Sequence, residues 1–238
     1  MSTTTTGIRG ICSMATRGLL AELCADYSKQ SGVPVAIEAV GGVDAARRVA
    51  ADEPFDVVFL AADAIAKLAA AGKVDAASQV ALVNSGVAAA VPAGAARPGI
   101  PAGAGGREAG LAAHRIASST GPSGVALLEL FRNWGIGEAL RNRLLQAPSG
   151  VPVGTLLARG EASLGFQQLS ELIGLPGIEL LGPLPEAIQI NTVFSAAPCT
   201  ASAQPAAVHA LLRFLASPGC GAAKRRHGMT PAQSLSRP

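Results

Sequence analysis

The chain has 238 residues, enough for a full apolar core in one large domain or two small ones. Apolar residues make up 49% and charged residues 15%, a globular balance that excludes a disordered chain. The formal net charge of +3 is small and evenly spread, which excludes a nucleic-acid partner. No run of about 18 uninterrupted apolar residues occurs, so no direct membrane insertion is expected.

The opening stretch, Met1 to Gly10, has neither the apolar run nor the small-residue cleavage site of a secretory leader. The chain as written is therefore expected in the cytoplasm, or in the periplasm if a leader was removed. Cys12, Cys24, Cys199 and Cys220 form no CxxC pair and have no metal-site spacing to histidine. They are expected to be free and buried, with a reactive reading open only for Cys12, beside a candidate ligand loop. The dense basic run Lys224 to His227 reads as a solvated helix end.

Short β-like runs alternate with helical patterns, the order of an α/β fold with parallel strands. Gly7 to Cys12 reads as a strand and Ser13 to Gln30 as an amphipathic helix with Leu19, Leu20, Leu23 and Tyr27 on one face. Val33 to Val40 reads as a strand, Asp44 to Asp52 as a helix and Phe55 to Leu60 as a buried strand. Ala62 to Ala71 reads as a helix stopped by Gly72. Ala81 to Val91 is a long strand, and Pro92 to Gly110 reads as a loop rich in Gly, Ala and Pro. Arg115 to Ser118 is a short strand before a helix over Gly124 to Trp134. Leu144 to Ala147, Ser163 to Gln167 and Ile178 to Leu181 are strand-like, and Pro152 to Arg159 is helical. Ile188 to Ala196 is a second long strand. Pro205 to Ser217 and Cys220 to His227 read as closing helices. The two long strands divide the chain into lobe 1 (residues 1–83 and 195–238) and lobe 2 (residues 84–194), with a ligand cleft expected between them.

Four stretches in this order carry a family resemblance. They are Cys12-Ser13-Met14-Ala15, then Val40-Gly41-Gly42-Val43 with Phe55 to Ala62, then Ser118 to Gly124, then Ala158 to Gln168. In that order the chain resembles the molybdate-binding proteins of ABC transporters, over about Gly7 to Gly228. The resemblance implies a two-lobed type II periplasmic-binding-protein fold, with two mostly parallel sheets flanked by helices and joined by two crossover strands. It also implies a small oxyanion or carboxylate held at the carboxyl ends of strands, where helix N-termini present unpaired N–H groups. The implied ligand-binding residues are Ser13, Met14, Gly41, Gly42 and Val43 from lobe 1. From lobe 2 they are Ser118, Ser119, Thr120, Ser123, Gly124, Gly150, Val151 and Gln168. Gly42 and Gly124 are expected to let the backbone approach the ligand.

The sequence departs from the molybdate pattern twice. Gly41-Gly42-Val43 stands where the family has a serine-bearing turn, and Gln167-Gln168 where it has a tyrosine. A glutamine amide both donates and accepts, which suits a carboxylate or hydroxylated ligand. Aconitate isomerase resembles the same family, so a cytosolic, cofactor-independent isomerase of a small polycarboxylate is the alternative. That chemistry needs a base. The candidates are Glu171, Arg47 and Arg48, the three histidines and Ser13, and none forms a nucleophile–base pair. No metal or cofactor is expected. The partners expected are the small anion and, for an exported chain, a transporter permease; the chain itself is expected to be a monomer.

Overall fold

A computed structural model describes residues 7–99 and 104–232. The elements follow in chain order. Strand β1 (Ile8–Ser13) runs through a single 3-10 turn into helix α1 (Arg17–Ser31), then come β2 (Val35–Val40), α2 (Gly42–Ala50), β3 (Val57–Ala61) and α3 (Ala62–Ala70). A long strand β4 (Val80–Pro92) leads to α4 (Ala104–Ala112), β5 (Ile116–Ser118), α5 (Pro122–Asn133), α6 (Gly137–Leu140) and β6 (Leu144–Gln146). Next are α7 (Val153–Ala158), β7 (Leu164–Gln168), α8 (Leu169–Leu172), β8 (Ile178–Pro183) and β9 (Asn191–Pro198). The described chain closes with α9 (Pro205–Ala216), α10 (Gly221–Arg226) and β10 (Met229–Pro231). None of the helices among the described residues is long and apolar enough to cross a membrane.

The chain forms two compact units. One runs to Asn84 and resumes at Val193; the other is Ser85–Thr192. Strands β4 and β9 contain the two crossings. In the first unit, β1 pairs parallel with both β2 and β3, and β9 joins β3 antiparallel. Side chains alternate across this sheet, as a strand's period of two requires. Cys12 and Phe59 face α1 and α9, where Leu19, Leu23, Tyr27, Val208 and Leu211 pack. Ile11, Val58 and Leu60 face α2 and α3, against Ala45, Val49, Ile65 and Leu68. Each such Leu, Ile or Phe contributes about 1.5–3 kcal/mol on burial. Helix α3 ends where expected, with Gly72 at a φ of +70° that costs a glycine nothing.

The second unit repeats the scheme. Strand β5 pairs parallel with β6 and β7, while β4 pairs antiparallel with β7 and β8. Leu127, Phe131, Ile136 and Leu140 cover one face, and Val153, Leu156 and Leu157 the other. Both units are therefore α/β layers of the kind the family resemblance implies.

Three expectations need correction. The stretch Pro92 to Gly110 is not all loop, because α4 begins at Ala104; residues 100–103 lie outside the described residues. Helix α4 forms although glycines disfavour a helix by about 1 kcal/mol each; a Cβ on the buried Gly110 would make only an ordinary contact, with Ile136 Cδ1 at 3.4 Å. The helix expected from Ser13 begins instead with a 3-10 turn over Met14–Thr16. The basic run is solvated only in part: Arg225 and Arg226 are exposed at the end of α10, but Lys224 is buried, and Arg226 and His227 both engage Glu22 on α1. Desolvation holds the Lys224 ammonium below its usual pKa. The stretch Met1 to Thr6 and the last six residues lie outside the described residues.

Candidate functional site

In the first unit the carboxyl ends of β1 and β2 lie side by side, with Ser13 opposite Val40. Ser13 has extended backbone angles, makes no side-chain cap bond, and is buried. Its Oγ has no hydrogen-bond partner. A buried hydroxyl left unpaired costs about 1–3 kcal/mol. Next to it stands the β2–α2 turn. Gly41 precedes α2 and supplies no side chain to cap it; its carbonyl accepts from Ala45 N at 2.9 Å. The first N–H groups of α2 are thus free of side-chain caps, and the helix dipole adds positive potential there. A Cβ on Gly42 would meet Ser13 Cβ at 3.5 Å and Leu60 Cδ2 at 3.9 Å, so Ser13 and Gly42 are neighbours. Met14 is half-buried, and Val43 is 60% exposed, an apolar side chain held in water beside the turn.

In the second unit, Ser118 ends β5 opposite Phe166 on β7. It is buried, and its carbonyl accepts from Ala147 N at 2.8 Å. The Ser119 and Ser123 hydroxyls lie 3.0 Å apart, and half-buried Thr120 stands between them in the chain. Gly121 caps α5 by its carbonyl, which accepts from Gly124 N at 3.0 Å, and Pro122 takes the first helical position. At Gly124 a Cβ would lie 1.9 Å from the Ser119 carbonyl oxygen, so the turn's own backbone requires a glycine there.

Gly150 and Val151 form a turn in which Val151 N donates to the Pro148 carbonyl at 3.0 Å and Gly150 has a φ of +77°. Gln168 ends β7 just before α8. It is buried; its Nε2 donates to Thr192 Oγ1 at 2.9 Å, and its Oε1 has no partner. Turned about its amide, the same side chain would accept from Thr192 and present its donors instead. Either orientation leaves one buried polar function for a ligand.

Of the acid–base candidates, Glu171 and Arg48 are engaged elsewhere. Glu171 Oε1 accepts from Gln167 Nε2 at 2.8 Å, and Gln167 Oε1 accepts from Val153 N at 2.7 Å, capping α7. Arg48 binds Glu38 and Glu53 and lies over the Phe55 ring, so it clamps no ligand. Those bonds hold both glutamates below the usual carboxylate range and raise Arg48. Arg47 is exposed beside Asp44. His114 N donates to Ser163 Oγ at the amino end of β5, the wrong end for the turns. His209 lies on α9. The Cys12 thiol is pushed up to about 12 by burial, which keeps it protonated and unreactive at neutral pH. All four cysteines are free and buried. Among the described residues no group of His, Cys, Asp and Glu could hold a metal ion.

Sequence reasoning missed Gln167 as the α7 cap, Thr192 as the partner of Gln168, and Ser195 on β9. The Ser195 Oγ is 1% exposed and unpartnered. Its signal was a hydroxyl inside an otherwise apolar alternating run, Val193 to Pro198.

Two α/β units with anion-ready turns at their strand ends define a solute-binding architecture. The chain belongs to the bacterial extracellular solute-binding protein family, whose model matches residues 8–230. It is 37% identical to the aconitate isomerase of a Pseudomonas species over 220 residues, 90% of this chain and 84% of that protein. Its fold matches the periplasmic molybdate-binding protein of Azotobacter vinelandii at a TM-score of 0.80 and 22% identity, covering 95% of this chain and 100% of the other. The sulfate-binding protein of Mycobacterium tuberculosis H37Rv matches at 0.76 and 19% identity, covering 96% and 88%.

Proposed function

We propose that this protein binds a small oxyanion or carboxylate, with donors from the Ser13 and Gly41-Gly42 turns of its first unit. The carrying observation is the buried, unpartnered Ser13 hydroxyl beside the uncapped N-terminus of α2. Hydrogen bonds to charged groups contribute about 1.5–3 kcal/mol, comparable with the cost of leaving the hydroxyl empty. The exposed Val43 beside the Ser13 and Gly41-Gly42 turns favours an organic carboxylate over a bare tetrahedral ion, because it offers apolar contact to a carbon skeleton. For an exported chain, a transporter permease is the natural recipient of the ligand.

A second reading is an isomerase acting on a small polycarboxylate without a cofactor. The 37% identity to an aconitate isomerase favours it. In that reading the same turns hold carboxylates and stabilise the enolate-like charge formed on proton removal.

A thermal-shift panel with molybdate, sulfate, citrate, and cis- and trans-aconitate tests both. A ligand at 100 times its Kd adds about 2.7 kcal/mol, or a rise of roughly 5–10 °C at this length. Shifts with the carboxylates are expected. Interconversion of the two aconitates without added cofactor, followed by chromatography, would establish the second reading. Ser13→Ala should abolish most of the shift, and an unchanged shift would overturn the site.

A further inference from the structure

The first unit contains a second place built like the Ser13 turn. Register places it. Cys12 pairs with Phe59, so Ser13, one residue on, is level with Leu60. Leu60 pairs with Ser195 on β9. Ser13, Leu60 and Ser195 therefore form one row across three strands, on the face that α2 and α3 cover. Ala197, two residues beyond Ser195, packs with the α2 and α3 side chains and confirms which face this is. From the middle strand of the row, just after Leu60 and beside β9, the chain makes the β3–α3 turn. Ala61 precedes α3 with no side-chain cap, and its strand partner is Phe194, the neighbour of Ser195. The Ser195 Oγ is 1% exposed and has no hydrogen-bond partner.

Each half of this arrangement pairs an orphaned buried hydroxyl with an uncapped helix N-terminus: Ser13 with α2, and Ser195 with α3. Strands in a sheet are spaced at roughly 4.8 Å, so the two hydroxyl-bearing residues stand roughly 10 Å apart. That spacing matches two carboxylates on one carbon chain.

We infer that Ser195 and the N-terminus of α3 form a second carboxylate subsite, and that the ligand is a polycarboxylate held at two ends by the first unit. The inference rests on the proposed anion-binding function and adds the ligand class and a residue to it. Asp63, exposed in the first turn of α3, carries the opposite preference. It weakens the subsite for an anion and serves as an internal control.

The test is calorimetry on the whole chain, using tricarballylate and citrate as polycarboxylates and sulfate as the single-centre anion. Ser195→Ala should weaken polycarboxylate binding by roughly tenfold or more. It should leave sulfate binding at Ser13 unchanged. Because the removed hydroxyl has no partner, the ligand-free melting temperature should hold or rise, unlike that of a structural serine. Asp63→Asn should tighten the polycarboxylates. Wild-type affinity for tricarballylate in Ser195→Ala, with loss in Ser13→Ala, overturns the second subsite and leaves the anion site standing. No binding of any of the three anions by the wild-type protein overturns both.

Discussion

Gly124 and Gly42 both sit at helix starts in the candidate site, yet alanine should do opposite things at each. At Gly124 a Cβ would stand 1.9 Å from the Ser119 carbonyl oxygen and 2.9 Å from its carbon. An ordinary contact needs more than 3 Å, so over an ångström of backbone movement is required, and no rotamer change can relieve it. Overpacking by one methyl costs about 1–3 kcal/mol where side chains give way; against fixed backbone the upper end applies, about 3 kcal/mol. At roughly 2–4 °C per kcal/mol for a chain of this length, the melting temperature should fall by roughly 6–12 °C. With two units, the transition should split, because the loss belongs to Ser85–Thr192 alone. At Gly42 the nearest atom is Ser13 Cβ at 3.5 Å, an ordinary contact. There alanine should leave stability unchanged or raise it by about 0.4–1 kcal/mol, while the methyl stands where the ligand approaches. Differential scanning calorimetry with and without a saturating anion reads both effects. A Gly124→Ala protein that melts within about 2 °C of wild type, a loss of roughly 1 kcal/mol or less, would refute the steric argument, and full affinity in Gly42→Ala would refute the placement of the ligand.

Further outcomes follow from the engaged side chains. Gln167→Ala removes the α7 cap and the bond to Glu171, and should cost about 2 kcal/mol in a chemical denaturation series. Arg48→Met should change how stability depends on pH. Glu38 and Glu53 are held below the usual carboxylate range by their bonds to Arg48, so their contribution is present above that range and fades as pH falls through the lowered values. Melting curves from pH 7 down to 3 should therefore steepen less in the variant than in wild type. Burial pushes Cys12, Cys24 and Cys199 up to about 12, so a thiol reagent at pH 8 should label them only after denaturant is added.

The parts of the fold legible in the sequence are those where hydrophobic period and local stop signals agree. The strand at Val57–Ala61 and the helix ended by Gly72 are of this kind. Helix α4 was illegible because its glycines argue against a helix. Lys224 was misread because charge favours solvent, and a covering core cannot be seen from a tetrapeptide. The turns at Ser13, at Gly42 and at Ser119–Ser123 could be read from turn chemistry. Gln167 could not, because the helix it caps begins 14 residues earlier in the chain. Ser195 was hidden for the same reason: its meaning comes from β9 lying beside β3, which no local pattern predicts.

The first unit is interrupted by the whole of Ser85–Thr192, and its sheet takes β9 only from the returning segment. On a ribosome the inserted unit emerges complete while the first is still unfinished. The β1–β3 row must wait, with one edge of β3 open, until residues beyond Val193 are made. A nascent chain stalled before that point would hold Ser13 and Gly42 in sequence but not the strand that completes their sheet. Anion binding would then be acquired in a single late step, rather than growing in with the length of the chain.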